Sequence, residues 1–368
     1  MAIIQHIAII HFDFGASGNL ASILAELGIK RPLYMTDQGV RACGMFDQAT
    51  RSVRAECVYD RTPENPTIAS VREALELFRA GGCDGIVAVG GGSPIDCAKG
   101  VALLASHEGP IERYRVGPAA LPITASIVPL IAVPTTAGTS SEIGRGAGIT
   151  LDSGEKAVFY GRNLVPKVAI FDPELTFTLP ARLTAATGID AFSHCLEAFL
   201  SPAVNPPGDV LALSGLRRLA AFIQRATESP QDREARWNMM MGVVEAGMAM
   251  WKGLGHAHAL GVPLDGPGLH HGTLVGVLLP ETIRWIEPDM GAKGQAIRDA
   301  LGLPFGTGIA DHLKALNARI GLPGTLAEMG VPESAFAEAA RWAAGSVFNA
   351  SSLKSASEAD FRAILDRC

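Results

Sequence analysis

The chain has 368 residues, more than one hydrophobic core ordinarily supports, so two domains of ordinary size are expected. Hydrophobic residues make up 48% and charged residues 18%, the balance of a compact globular protein, which excludes a disordered, collagen-like or mucin-like chain. A formal charge of −6 without any run of lysines or arginines gives no footprint for nucleic acid, which is not expected as a partner.

The N-terminus MAIIQHIAIIHFDFG alternates as a first strand does, and it lacks the basic flank and small-residue cleavage site of an export signal. Short β-branched runs then alternate with helical patterns: ASILAELG, RPLYMTD, VREALELFRAGG, GIVAVGGGS, LIAVPTT and KVAIFDP. That rhythm predicts an open α/β sheet with crossover helices over residues 1–180. The run LPITASIVPLIAVP is too short and too rich in proline to span a bilayer as a helix, so no membrane association is expected. Beyond DPELTFTLP the stretches ARLTAATGIDAFSHCLEAFL, DVLALSGLRRLAAFIQRA and REARWNMMMGVVEAGMAM carry helical periodicity, which predicts a helical domain over residues 181–368. The six cysteines have no paired spacing and read as reduced thiols of a cytoplasmic protein.

GIVAVGGGSPIDCAKG, residues 85–100, reads as a buried strand, three glycines and a helix start. Glycines let the backbone turn sharply and approach a ligand, Ser93 is placed as N-cap with Pro94 in the first helical position, and Asp96 follows three residues after the cap. Amides at such a terminus suit a pyrophosphate; a plain tight turn is the alternative, because Ile95 stands where a dinucleotide fingerprint has its third glycine. PTTAGTSSE, residues 134–142, offers hydroxyls and open backbone for phosphate or ribose, or else is a solvated loop with local bonds. Asp37 ends a strand where an acid can accept a ribose 2′-hydroxyl and repel a 2′-phosphate, favouring NAD over NADP, or where it simply closes a turn.

Asp190 and His194 are four residues apart, so on a helix both lie on one face and can share a cation, although ordinary helix pairs have the same spacing. GLGHAHALGVPLDGPGLHHG, residues 253–272, holds four of the nine histidines. It supplies further imidazoles from a helix end at His258 and from a turn at His271. One aspartate with three histidines is a mixed oxygen and nitrogen set suited to a divalent metal such as Zn²⁺ or Fe²⁺. The alternative is a set of half-buried histidines capping backbone groups.

Taken together, TDQGV, GGGSPIDCAKG, PTTAGTSSE, DPELTFTLP, TGIDAFSHCLEAFLSP, KGLGHAHAL and GLHHGTLVGVLLP resemble the iron-containing (group III) alcohol dehydrogenase family, over nearly the whole chain. The resemblance implies an α/β dinucleotide-binding N-terminal domain with a parallel sheet, an all-helical C-terminal domain, and a metal in the cleft between them, the fold shared with dehydroquinate synthases. It implies Asp190, His194, His258 and His271 as metal ligands, with iron first and zinc or nickel as alternatives. It gives the pyrophosphate to Gly91, Gly92 and Ser93 with Asp96 nearby, the second nucleotide loop to Thr135, Thr136 and Thr139, a place near the nicotinamide ribose to Lys156, and the choice of NAD to Asp37. A homodimer acting on a small alcohol or aldehyde completes the expectation.

Three departures from the family pattern stand out. Val262 occupies the position of a proton-relay histidine four residues after His258, so the proton is expected to travel by water, by ribose hydroxyls, or through His256 or His270. Asp265 replaces a usual glycine in a loop one residue shorter than is common. Ser140 stands where glycine is usual and is expected to stiffen its turn. The expected chemistry is metal-assisted hydride transfer, with His258 and His271 at the reacting centre and His256 as a candidate relay. Its alternatives are a metal-independent keto-acid reductase resembling the maleylacetate reductases, a lyase-like use of the fold, and a non-catalytic nucleotide-binding scaffold.

Overall fold

The structure is a computed structural model that describes residues 8–117, 119–124, 127–266 and 268–368. Residues 1–7 of the expected first strand lie outside the described residues. Two compact units emerge: one comprises the described chain up to Thr136 together with Ser140–Leu179, the other Ala137–Thr139 together with Pro180–Cys368.

The first unit begins with strand β1 (Ile9–Phe12), helix α1 (Leu20–Glu26), β2 (Pro32–Met35), α2 (Gln38–Ala42), α3 (Met45–Ala49) and β3 (Cys57–Tyr59). It continues through α4 (Ile68–Ala80), β4 (Gly85–Gly90), α5 (Gly92–Ser106), β5 (Leu130–Pro134), β6 (Gly146–Thr150), β7 (Lys156–Tyr160) and β8 (Val168–Phe171). Six strands form one sheet in the order β1-β8-β5-β4-β2-β3, with every pair parallel. Both faces are covered, which is why β4 is buried at every position. The two-residue period of the strands sorts side chains between two cores. Leu33, Met35, Ile86, Ala88, Leu130 and Ala132 face one core with α4 and α5; Tyr34, Val87, Val89, Ile131, Val133 and Ile170 face the other with α1 and α3.

Two features differ from the expected pattern. Between β5 and β8 the chain forms an antiparallel hairpin, β6 with β7, whose Ala147, Ile149, Ala157 and Phe159 cover the first core. Helix α5 begins after Gly91, two residues earlier than the expected cap at Ser93, and no side chain caps it. Pro94 still falls in the first turn, where its missing N–H breaks no helical bond.

The second unit contains α6 (Ala181–Leu200), α7 (Pro206–Glu228), α8 (Arg233–Ala249), α9 (His256–Leu264), α10 (His271–Ile286), α11 (Ala292–Leu301), α12 (Ile309–Arg319), α13 (Phe336–Ala344), α14 (Val347–Ala350) and α15 (Glu358–Leu365). Helix α6 is buried from Thr184 through Leu200 and packs against α7, α8 and α10, so it is the axis of the helical unit. Small residues permit that: a Cβ on Gly188 would press on Met239 and Ile223. Residues 137–139 belong here because Gly138 lies directly against Thr187, with no room for a side chain. Among the described residues no helix is long and apolar enough to cross a membrane.

Candidate active site

In the first unit, strand order reverses between β2 and β4, and in parallel sheets ligands bind beyond the carboxyl ends of the strands at such a switch point. The glycine loop follows β4 and the threonine loop follows β5, and register brings them together: Gly90 pairs with Pro134, and Thr135 N donates to Gly90 O at 3.0 Å. Gly90 has φ +152°, and a Cβ there would stand 2.6 Å from Pro94 Cγ, so only glycine fits. A Cβ on Gly91 would meet Thr136 Cγ2 at 3.1 Å. Gly91, Gly92 and Ser93 therefore open α5 beside Thr135 and Thr136, and the amides of its first turn lack intrahelical partners.

Asp96 does not close a capping box; it accepts from Ser141 Oγ at 2.8 Å and from Gly148 N at 2.9 Å, fixing the hydroxyl loop and β6. Lys99, one turn further on, was not singled out by the sequence. It is fully buried and donates to Gly144 O at 3.0 Å and Gly146 O at 2.6 Å, with burial depressing its pKa against the pull of Asp96 and Glu142. Lys156 opens β7 and donates to Asn65 Oδ1 at 3.3 Å. Asp37 caps α2, its Oδ1 accepting from Val40 N at 2.9 Å, which gives the turn-closing reading a physical basis. Ser140 has φ +56°, a region that costs a side-chain-bearing residue about 1 kcal/mol and explains why glycine is usual there. Thr139 falls in the segment that belongs to the helical unit.

In the helical unit, α6 carries Asp190 and His194, α9 carries His258, and His271 is the first residue of α10. His194 Nε2 and His258 Nε2 each stand 3.6 Å from Asp190 Oδ1. Ligand atoms of Asp190, His258 and His271 all lie within 4.8 Å of one another. The ring of His258 stacks on His194 at 4.9 Å and tilts toward His271 at 5.6 Å. Gly272 makes this approach possible, because a Cβ there would overlap the carbonyl oxygen of Ala186 and stand 3.2 Å from Asp190 Cβ.

A separation of 3.6 Å is too long for a hydrogen bond. Asp190 Oδ1 and His258 Nε2 are buried with no hydrogen-bond partner among the described residues. Unpaired buried polar atoms facing one another call for a missing partner. Two ligands about 2.1 Å from one tetrahedral ion stand roughly 3.4 Å apart, so the residues present fit a divalent cation.

Two carboxylates that the sequence did not single out as partners hold the outer nitrogens. His258 Nδ1 donates to Glu197 Oε2 at 2.6 Å, and Glu197 also accepts from Gly255 N at 2.9 Å and Ala257 N at 2.8 Å. His271 Nδ1 donates to Asp265 Oδ2 at 3.1 Å. These bonds go to carboxylates and not to backbone carbonyls, which sets aside the reading of simple helix-end caps. Burial alone would raise the Asp190 and Glu197 carboxyls, but the imidazoles around Asp190, and His258 with two amides around Glu197, hold both below the usual range. Burial lowers His194 to about 4 against the pull of Asp190, whereas for His258 burial is outweighed by Glu197 and Asp190, which lift it to about 9.

The structure does not bring His256 to this cluster. Its ring packs edge-on against Trp285 at 5.2 Å and Phe361 at 5.4 Å, because two residues along a helix turn a side chain to the opposite face. His270 is the residue preceding α10.

Comparison with known proteins adds the following. A family model described as iron-containing alcohol dehydrogenase matches residues 8–173, and one described as the C-terminal part of the Fe-containing alcohol dehydrogenase family matches residues 184–368. The chain is 46% identical to 4-hydroxybutyrate dehydrogenase of Cupriavidus necator, with 100% of both chains covered. It is 37% identical to 1,3-propanediol dehydrogenase of Citrobacter freundii, over 86% of this chain and 87% of that one. Among solved structures, a 1,3-propanediol oxidoreductase superposes with a TM-score of 0.93 at 32% identity, over 100% of this chain and 99% of the other.

Proposed function

As the chain belongs to the iron-containing alcohol dehydrogenase family and is an oxidoreductase, we propose that it moves a hydride between NAD(H) and the hydroxyl-bearing carbon of a small primary alcohol. Asp190, His194, His258 and His271 hold the divalent metal in this reading, iron ahead of zinc or nickel. The observation that carries it is Asp190 Oδ1, buried without a hydrogen-bond partner among the described residues and faced by two imidazole nitrogens at 3.6 Å. The 46% relative supports 4-hydroxybutyrate as the alcohol, with 1,3-propanediol second. A cytoplasmic homodimer completes the reading.

When bound, the metal supplies a Lewis acid at the alcohol oxygen and NAD supplies the hydride acceptor. The protein's part is positioning. Gly91, Gly92 and Ser93 present first-turn amides to the pyrophosphate, while Asp96 holds the hydroxyl loop through Ser141. Thr135, Thr136, Thr139 and Lys156 contact the nucleotide, and Asp37 accepts from the ribose and repels a 2′-phosphate. Glu197 accepts the Nδ1 hydrogen of His258 and so holds Nε2 toward Asp190 as the nitrogen that would take the metal. Val262 carries no proton and His256 is enclosed by aromatic rings, so the alcohol proton leaves by water, ribose hydroxyls or His270.

Elemental analysis of protein purified without chelator, with NAD⁺ reduction by 4-hydroxybutyrate and by 1,3-propanediol, tests this reading. About one metal per chain, lost in Asp190→Ala together with turnover, is expected. Full turnover in metal-free protein would favour a metal-independent reductase, and neither metal nor turnover would leave a nucleotide-binding scaffold.

A further inference from the structure

We propose that Asp265 is a positioning residue that locks His271 into the cation site, and that it sets how tightly this chain keeps its metal. The proposal rests on the metal reading given above. Of the three histidines, His271 is the one that solvent reaches: its side chain is 29% exposed, against 4% for His194 and for His258. It also enters the site differently, as the first residue of α10 after a loop and not from within a helix. An imidazole placed so can swing outward.

Asp265 opposes that swing. It ends α9, its side chain is 0% exposed, and its Oδ2 lies 3.1 Å from His271 Nδ1. An ionised carboxylate only accepts hydrogen bonds, so the hydrogen of His271 sits on Nδ1 and the lone pair of Nε2 is left for a cation. Its negative charge also offsets the positive end of the α10 dipole, which would otherwise weaken a nitrogen donor at that position.

Glu197 and His258 form the analogous pair, but there the carboxylate has a second duty: it accepts from Gly255 N and Ala257 N and so builds the start of α9. His194 has no such brace, since its Nδ1 is buried without a hydrogen-bond partner among the described residues. Removing the Asp265 carboxylate leaves the Glu197 contacts that build the start of α9 in place.

The test is titration of chelator-treated protein with Zn²⁺ in competition with a chromogenic chelator, for wild type, Asp265→Asn and Asp265→Ala. Loss of an outer partner of this kind costs roughly 10–100-fold in metal affinity. Asp265→Ala is expected to lose that much and to release metal faster. Asp265→Asn, whose amide oxygen still accepts the Nδ1 hydrogen without the charge, is expected to fall between. The thermal midpoint of the metal-free variants and their NADH affinity are expected to match wild type, which separates a loosened ligand from a damaged fold. An Asp265→Ala affinity within twofold of wild type would overturn the role given to Asp265 while leaving the metal site intact. A wild type that takes up no Zn²⁺ would instead overturn the metal reading on which the proposal stands.

Discussion

Val262 sits one turn beyond His258 on α9, half-buried, at the position where the family resemblance puts a proton-relay histidine. General acid–base assistance by a placed imidazole is worth roughly 10²–10⁴-fold where the geometry is ideal. An introduced side chain falls short of ideal, so Val262→His is expected to raise kcat for alcohol oxidation by about tenfold and to add an inflection near the ordinary imidazole pKa of about 6.5. The measurement is the pH profile of kcat; superimposable profiles for variant and wild type would mean that the proton already leaves efficiently by another route. Which histidines meet was partly legible in the sequence, since the spacing from Asp190 to His194 and the crowding of residues 253–272 both point to a cation. The roles of Glu197 and Asp265 were not, because an acidic side chain looks like any other until its burial and its distance to an imidazole are known. His256 looked like its neighbours for the same reason, and only the turn of α9 carries it toward Trp285 and Phe361.

Helices α6 and α10 come together through a residue with no side chain, and this contact sets the reach of His271 toward Asp190. A methyl on Gly272 meets the carbonyl oxygen of Ala186, a backbone atom in the buried stretch of α6 that cannot swing aside. Gly272→Ala is thus expected to push α10 off α6, costing about 1–3 kcal/mol as overpacking does, and to lower metal content in step. Denaturant titration of metal-free protein and elemental analysis read the two effects separately. Unchanged values for both would show that the helices adjust without moving the ligands. The same reliance on packing explains which elements sequence reasoning could see. Runs such as GIVAVG and LIAVP announce strands buried on two faces, and α6 to α8 announce themselves by length. The hairpin of β6 and β7 did not, because GAGIT and KAVFY bury one face each, and two glycines in the first of them weaken any strand signal. The start of α5 shifted for a related reason: with Gly91 extended at the cap, the helix begins before the side chain that would have capped it.

The two compact units divide the proposed ligand contacts between them, Gly91, Gly92, Ser93, Thr135 and Thr136 in one and the cation cluster on α6, α9 and α10, with Thr139, in the other. A ligand stabilises the state it binds by RT ln(1 + [L]/Kd), about 2.7 kcal/mol at a hundredfold excess over Kd, and hydrogen exchange shows which segments receive that protection. Zn²⁺ is therefore expected to slow exchange first in residues 186–200 and 256–280, and NADH first in residues 86–100 and 130–136. Each ligand added alone gives its own footprint. With both present, the affinity of each measured in the presence of the other gives the coupling, which linkage requires to be equal in the two directions. Separate footprints with coupling near unity would mean that each unit folds around its own ligand. A Zn²⁺ footprint that spreads to the glycine loop, with a matching gain in NADH affinity, would mean that metal loading prepares the nucleotide site, so that a chain without metal is also poor at holding its coenzyme.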